Sequence, residues 1–308
     1  MSLKATLKSH PVLYEIVPPR RDTSRYQSEL RGVEDVLHDG RITAVNVPEL
    51  TRRHEAKHVR YSPVTIPPEE YALLIREYKE PVVNVIAPRL PMDEFLGRAR
   101  KILRDYRIPN LVLVGKEKHQ DRLPGPGVLE GLAALRPEKG DGTAFGGICI
   151  FDRGSAGSGG KGRGAALSEA ERVLAKARAG CDFVTSQIAF DPRPALGFLA
   201  SYEDACMVAG VDPVTVFVSL TTVPTLGILS LLESLDVVVP PKLRKRLAGS
   251  SSMGKASVDE SAKVFDDILA GAEKAGVSVP LGVQVEQVGV NSGGFALDLL
   301  DRVLSSFG

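Results

Sequence analysis

The chain has 308 residues, 43% of them apolar, with 39 Lys and Arg set against 38 Asp and Glu. That near-neutral balance excludes the basic footprint of a nucleic-acid binder, and no 18-residue apolar run is present to span a membrane. Residues 1–6 carry no hydrophobic signal core, and Cys149, Cys181 and Cys206 are odd in number and widely spaced, so a cytoplasmic protein with buried free thiols is expected.

In chain order, short apolar runs alternate with helical patterns. Strands are expected at Val12–Val17, Ile42–Val47, Val82–Ile86, Asn110–Val114, Ala144–Ile150, Phe183–Gln187, Val214–Leu220 and Leu281–Val285. They are mostly continuous apolar runs, as parallel strands covered on both faces require. Helices are expected at Pro67–Lys79, with prolines and acids at its start, at Asp93–Tyr106, and at Ser168–Ala179 behind a Ser cap. Further helices are expected at Ser257–Ala275 and about Phe295–Leu304. Eight strand–helix alternations match a closed (β/α)₈ TIM barrel forming one domain over residues 1–308. An open doubly wound sheet has the same periodicity, because closure leaves no mark on it.

One low-complexity stretch, Gly154 to Gly164, follows the fifth strand, where a barrel places its working loops. Its glycines with Lys161 and Arg163 read either as a phosphate cradle or as a plain surface loop. Asn291-Ser292-Gly293-Gly294 after the last strand offers the same choice between a phosphate site and a turn with a helix cap. His54-Glu55-Ala56-Lys57-His58 fits the His-Glu-x-x-His zinc spacing. Its neighbours Arg52, Arg53 and Arg60 favour a solvated charged segment instead, since a metalloprotease helix is packed by apolar flanks. The basic run Pro241 to Arg246 reads as a solvated helix face.

Glu15 stands out because it interrupts the apolar run Val12-Leu13-Tyr14-Glu15-Ile16-Val17. A carboxylate there must be paired or kept protonated, so it is either a structural ion pair or a general acid with a raised pKa. Gln187 closes the sixth strand in Asp182-Phe183-Val184-Thr185-Ser186-Gln187-Ile188-Ala189-Phe190-Asp191. Its amide donates and accepts together, which suits the edge of a heteroaromatic ring such as a pterin. Asp182, at the start of that strand, is expected to stabilise the opposite face.

The Glu15 strand with Pro18-Pro19-Arg20, together with the Asp182–Asp191 segment, resembles the flavin-dependent methylenetetrahydrofolate reductases. Val237 to Leu243 resembles that family's segment after the seventh strand. The similarity runs through most of the chain in strand order and is specific in these short segments. It implies an oxidoreductase of one-carbon metabolism that passes hydride from NAD(P)H or another reduced carrier, through FAD, to a folate-like pterin. By position, the resemblance makes Glu15 the general acid, Gln187 and Phe190 the pterin contacts, and Glu169, Lys176 and Lys116 the flavin contacts.

The departures are specific. The family's Arg-Gly-Asp after the fourth strand becomes Gly115-Lys116-Glu117, its Thr after the second strand falls on Pro48, and its His in the third strand has no counterpart in Val83-Asn84-Val85-Ile86. A Tyr-Pro-Glu-x-His flavin contact is replaced by Phe151-Asp152-Arg153 and the glycine-rich stretch. These losses keep two alternatives open: a flavin-free pterin-binding or methyl-transferring barrel, and a non-catalytic subunit. A homo-oligomer or a partner subunit is expected to accompany the chain.

Overall fold

The computed structural model describes residues 2–20, 33–50, 65–116, 123–153, 167–289 and 292–307. Eight strands form a closed, all-parallel barrel in sequence order: β1 (Val12–Glu15), β2 (Ala44–Val47), β3 (Pro81–Ile86), β4 (Asn110–Val114), β5 (Ala144–Cys149), β6 (Phe183–Ser186), β7 (Thr215–Thr221) and β8 (Leu281–Glu286). Closure comes from β1 pairing with β8, with Glu15 opposite Glu286, while β1 also pairs with β2, with Glu15 opposite Asn46. All eight expected strands are present, and the open-sheet alternative is excluded by that β1–β8 seam.

The helices cover the outside. In chain order they are α1 (Leu3–Thr6), α2 (Glu34–His38), α3 (Pro68–Ile75), α4 (Met92–Arg100), α5 (Val128–Leu135), α6 (Glu169–Arg178), α7 (Pro192–Ala209), α8 (Leu226–Ser234), α9 (Pro241–Ala248), α10 (Met253–Lys274) and α11 (Gly293–Leu304). The expected Asp93–Tyr106 helix resolves into α4 and a π-helical turn at Lys101–Asp105. The last long helix before β8 starts at Met253 rather than Ser257. α6 opens with a full capping box: the Ser168 hydroxyl accepts the Glu171 N–H, and the Glu171 carboxylate accepts the Ser168 N–H. α9 buries Leu243 and Leu247 and leaves its basic residues to solvent.

Strand alternation sorts side chains into two layers. Val45, Val47, Val83, Val85, Leu111, Leu113, Val184, Val216, Val218, Val283 and Val285 point outward and pack under the helices. Leu13, Ala44, Val82, Val112, Ala144, Phe183 and Phe217 point inward and meet Leu3 and Leu7. The inner cluster fills the N-terminal half of the barrel. Gly146 and Gly282 make room for it, since a Cβ on either would lie 2.5 Å from the Phe183 ring or 2.8 Å from the Phe217 ring.

α1 plugs that closed end. The Leu3 N–H donates to Glu80 at 3.0 Å, and Thr215 Oγ1 donates to the Leu7 carbonyl at 2.7 Å. Asp182 ties the plug to the barrel, holding Lys4, Lys139 (2.8 Å) and the Phe145 N–H (2.9 Å). Its place at the N-terminal end of β6 agrees with the stabilising role expected of it.

Candidate functional site

One strand step beyond the apolar floor, the inward positions turn polar. β1 supplies Glu15, β2 Asn46, β3 Asn84, β7 Ser219, and β8 both Gln284 and Glu286. These positions lie towards the C-terminal ends of the strands, the face on which barrels of this kind carry their chemistry.

The two carboxyls define the centre. Asn46 Nδ2 donates to Glu15 Oε2 at 2.8 Å, and Gln284 Nε2 donates to Glu286 Oε1 at 3.0 Å. Both glutamates keep a partial opening to solvent at the bottom of the mouth, but protein surrounds them closely enough for desolvation to dominate. Burial, and then the charge of Glu286, hold the Glu15 carboxyl well above the usual carboxylate value, with the Asn46 amide drawing it partly back. Burial raises Glu286 to about 7 against the opposing pull of the Ser219 hydroxyl and the Gln284 amide. Among the described residues neither carboxyl has a Lys, Arg or His partner, so the structural ion pair open to Glu15 from sequence is absent among them.

Around this pair several buried oxygens lack hydrogen-bond partners. Asn46 Oδ1, Asn84 Oδ1 and Gln284 Oε1 are sealed from solvent and unpaired, on residues that are 1%, 7% and 2% exposed. A buried acceptor left in that state costs about 1–3 kcal/mol, and Asn110 Oδ1 at the closed end is in the same state. Asn46 and Gln284 have each spent an amide N–H on a carboxyl, which fixes which end of the side chain stays unpaired.

The remaining expected residues separate. Gln187 follows β6 and is half-buried, with Oε1 accepting the Ile188 N–H at 3.2 Å and Nε2 lying 3.5 Å from the Leu235 carbonyl. Phe190 is buried in an apolar cluster with Ile188, Val223, Leu229 and Val237 beneath α8. Asp191 caps α7 by accepting the Arg193 N–H at 3.0 Å. Lys116 is exposed just beyond β4.

Glu169 and Lys176 sit behind β5, outside the barrel wall. Glu169 accepts the Ile150 N–H at 3.1 Å and Arg153 Nη1 at 3.0 Å, and Lys176 Nζ donates to the Ile148 carbonyl at 2.5 Å. The Lys176 stem runs past Gly147, where a Cβ would lie 3.2 Å from its Cδ. With exposures of 3% and 8%, both side chains have their polar atoms engaged by protein.

The His54–His58 motif, Glu117, Gly154 to Gly164 with Lys161 and Arg163, and Asn291 lie outside the described residues. Ser292 is described: its hydroxyl donates to the Gly289 carbonyl at 2.7 Å, as a turn residue does. All three cysteines are free and buried. Among the described residues no cluster of three or more metal-binding side chains occurs, and no helix is long and apolar enough to cross a membrane.

Sequence reading finds Glu15 and misses Glu286, Gln284, Asn46 and Asn84. The signal was present, because each interrupts an apolar strand on its inward face. Ending the eighth strand at Val285 removed Glu286 from that pattern.

No protein-family model and no curated protein matches the sequence. Among solved structures, an uncharacterized protein from Clostridium thermocellum that binds two copies of 5-methyl-5,6,7,8-tetrahydrofolic acid aligns over 99% of this chain and 98% of its own. The TM-score is 0.75 at 16% identity, which establishes a shared fold. Two structures of a candidate deoxyribose-phosphate aldolase from Toxoplasma gondii ME49 align at 10% identity with TM-scores of 0.46 and 0.47. They cover 98% of this chain and 96% and 94% of their own, a likeness too loose to carry functional weight.

Proposed function

We propose that this barrel binds a folate-like reduced pterin at its C-terminal mouth and that Glu15 delivers a proton to the bound ring. The observation that carries this reading is the inward Glu15 carboxyl, 2.8 Å from Asn46 Nδ2 and directly across the seam from Glu286, where burial and the Glu286 charge raise its pKa well above the usual carboxylate value. A carboxylic acid in that state is a proton donor matched to neutral conditions. When its proton passes to a ring amine, the carboxylate left behind keeps the Asn46 amide as a stabilising donor. The tetrahydrofolate in the Clostridium thermocellum barrel supports the ligand class, and the strand-one resemblance to methylenetetrahydrofolate reductases supports the role of Glu15.

Flavin-dependent reduction is the second reading, and the protonated Glu15 favours it too, since opening a methylene bridge needs an acid. Against it stand Glu169 and Lys176, whose polar atoms are held by β5.

A calorimetric titration with 5-methyltetrahydrofolate, beside a visible spectrum taken after adding FAD and removing the excess, separates the readings. Saturable folate binding by a colourless protein is expected. Stoichiometric absorption near roughly 370 and 450 nm, as bound oxidised flavin gives, would return the reading to the reductase. Absence of folate binding would overturn the pterin assignment.

A further inference from the structure

The mouth is unbalanced in its hydrogen-bonding capacity. Its described acceptors are Asn46 Oδ1, Asn84 Oδ1, Gln284 Oε1 and the two carboxyls, and Asn46 and Gln284 each give one amide N–H to Glu15 and Glu286. No described cation supplies the missing positive charge. A ligand that completes this site brings donors, and preferably two side by side, because a carboxylate binds paired N–H groups in a fork. The two glutamates are not equivalent. Glu15 carries the Coulombic burden of its neighbour and keeps the proton, whereas Glu286 receives a Gln284 N–H on one oxygen and has the Ser219 hydroxyl nearby. Those two donors make Glu286 the member of the pair that ionises first, and once charged it accepts. β8 places it directly across the seam from Glu15, one strand from the proton donor.

We infer that Glu286 is the specificity residue of this site, its carboxylate accepting the paired N–H donors of a 2-amino-4-oxopyrimidine edge. The barrel thereby selects a cyclic guanidine-like ring over the same ring bearing a carbonyl in place of the amino group. The inference rests on the pterin reading and deepens it, dividing the work between two carboxyls: Glu15 gives a proton and Glu286 reads the ring. A carbonyl at that position would set its oxygen against the Glu286 carboxylate, and both would lose a donor there.

The test compares two probes that differ only there. 6-Methyltetrahydropterin carries the amino group and 6-methyltetrahydrolumazine carries the carbonyl. Each is titrated anaerobically by calorimetry into the wild-type protein and into Glu286→Gln. The wild type is expected to favour the pterin by at least about tenfold, the worth of one charge-assisted hydrogen bond. In Glu286→Gln, whose amide can donate to a carbonyl, that preference is expected to vanish or reverse. Thermal melting confirms that the variant is folded, and Glu286→Ser, which also lacks the charge, replaces it if it is not.

A tenfold preference that survives loss of the Glu286 charge would overturn the inference and leave the pterin reading standing. Equal affinity of the wild type for both probes would do the same. Binding of neither probe by the wild type would overturn the pterin reading, and the inference with it.

Discussion

At the closed end of the barrel Asp182 holds two lysines and a backbone N–H, whereas at the mouth Glu15 and Glu286 hold one amide each and face one another. Both ends take carboxyl groups out of water. The closed end compensates with opposite charge, and the mouth compensates by keeping a proton. The first arrangement pairs its carboxylate with opposite charge and leaves one buried oxygen, Asn110 Oδ1, unpaired. The second leaves three oxygens unpaired and two carboxyls above their ordinary pKa, as a site organised around an incoming molecule would.

If that contrast is correct, substitutions at the two ends should separate stability from binding. The largest stability effect is expected from Asp182→Ala. It strands Lys139 and the Phe145 N–H and should cost about 2–3 kcal/mol in urea unfolding, while pterin affinity stays within twofold. An equal loss of affinity would show that the two ends are not independent.

Next in size is the pH response of the mouth. Between the ordinary carboxylate value of 4.5 and about 7, the folded protein retains a Glu286 proton that the unfolded chain has released. Stability from this group is therefore fully present at the acid side of the window and falls as pH rises through it. Glu286→Gln should flatten that slope, and a slope unchanged in the variant would assign it to other groups.

Lys176→Met tests the ground between the two ends. It removes a donor from the Ile148 carbonyl and a cation 3.9 Å from Glu169, for a cost of about 1–2 kcal/mol. Pterin affinity should be unchanged in the titration, and a loss of affinity beyond fivefold would move Lys176 into the site.

The smallest effect is the most discriminating. Asn84→Leu deletes an unpaired buried oxygen and should stabilise the fold by up to about 1 kcal/mol while weakening pterin binding. Asn110→Leu, the same exchange at the closed end, also deletes an unpaired oxygen but removes donors to Glu80 (2.6 Å) and the Pro81 carbonyl (3.3 Å), and should destabilise by about 1 kcal/mol. Equal signs would erase the distinction between the two ends.

The barrel was legible in the sequence because buried parallel strands are uninterrupted apolar runs, and Glu15 was legible because it broke one. Asn46, Asn84, Gln284 and Glu286 break their strands in the same way. Their meaning depends on strand register, which places Glu286 beside Glu15 across 271 positions of sequence and leaves no local trace. Glu169 and Lys176 illustrate the opposite difficulty. Counting back from Gln187 gives their positions along the chain, but not that Ile150, Arg153 and Ile148 hold their polar atoms. Helix α7 is masked by Pro192, Pro194 and Gly197, although Pro192 occupies the first turn, where proline is favoured, and Ala195, Phe198, Leu199, Tyr202 and Cys206 mark its buried stripe.

The plug formed by α1 has a consequence for the order of folding. The Leu7 carbonyl finds its donor 208 residues later, at Thr215, and Lys4 meets Asp182 after 178. Bringing such distant segments together costs loop entropy before any contact repays it, and topologies of this kind fold slowly. The floor of the mouth is accordingly among the last parts of the molecule that can close, and until it does Leu3 and Leu7 have no apolar place to go. A nascent or stressed chain would expose its stickiest surface at the end of the barrel opposite the mouth.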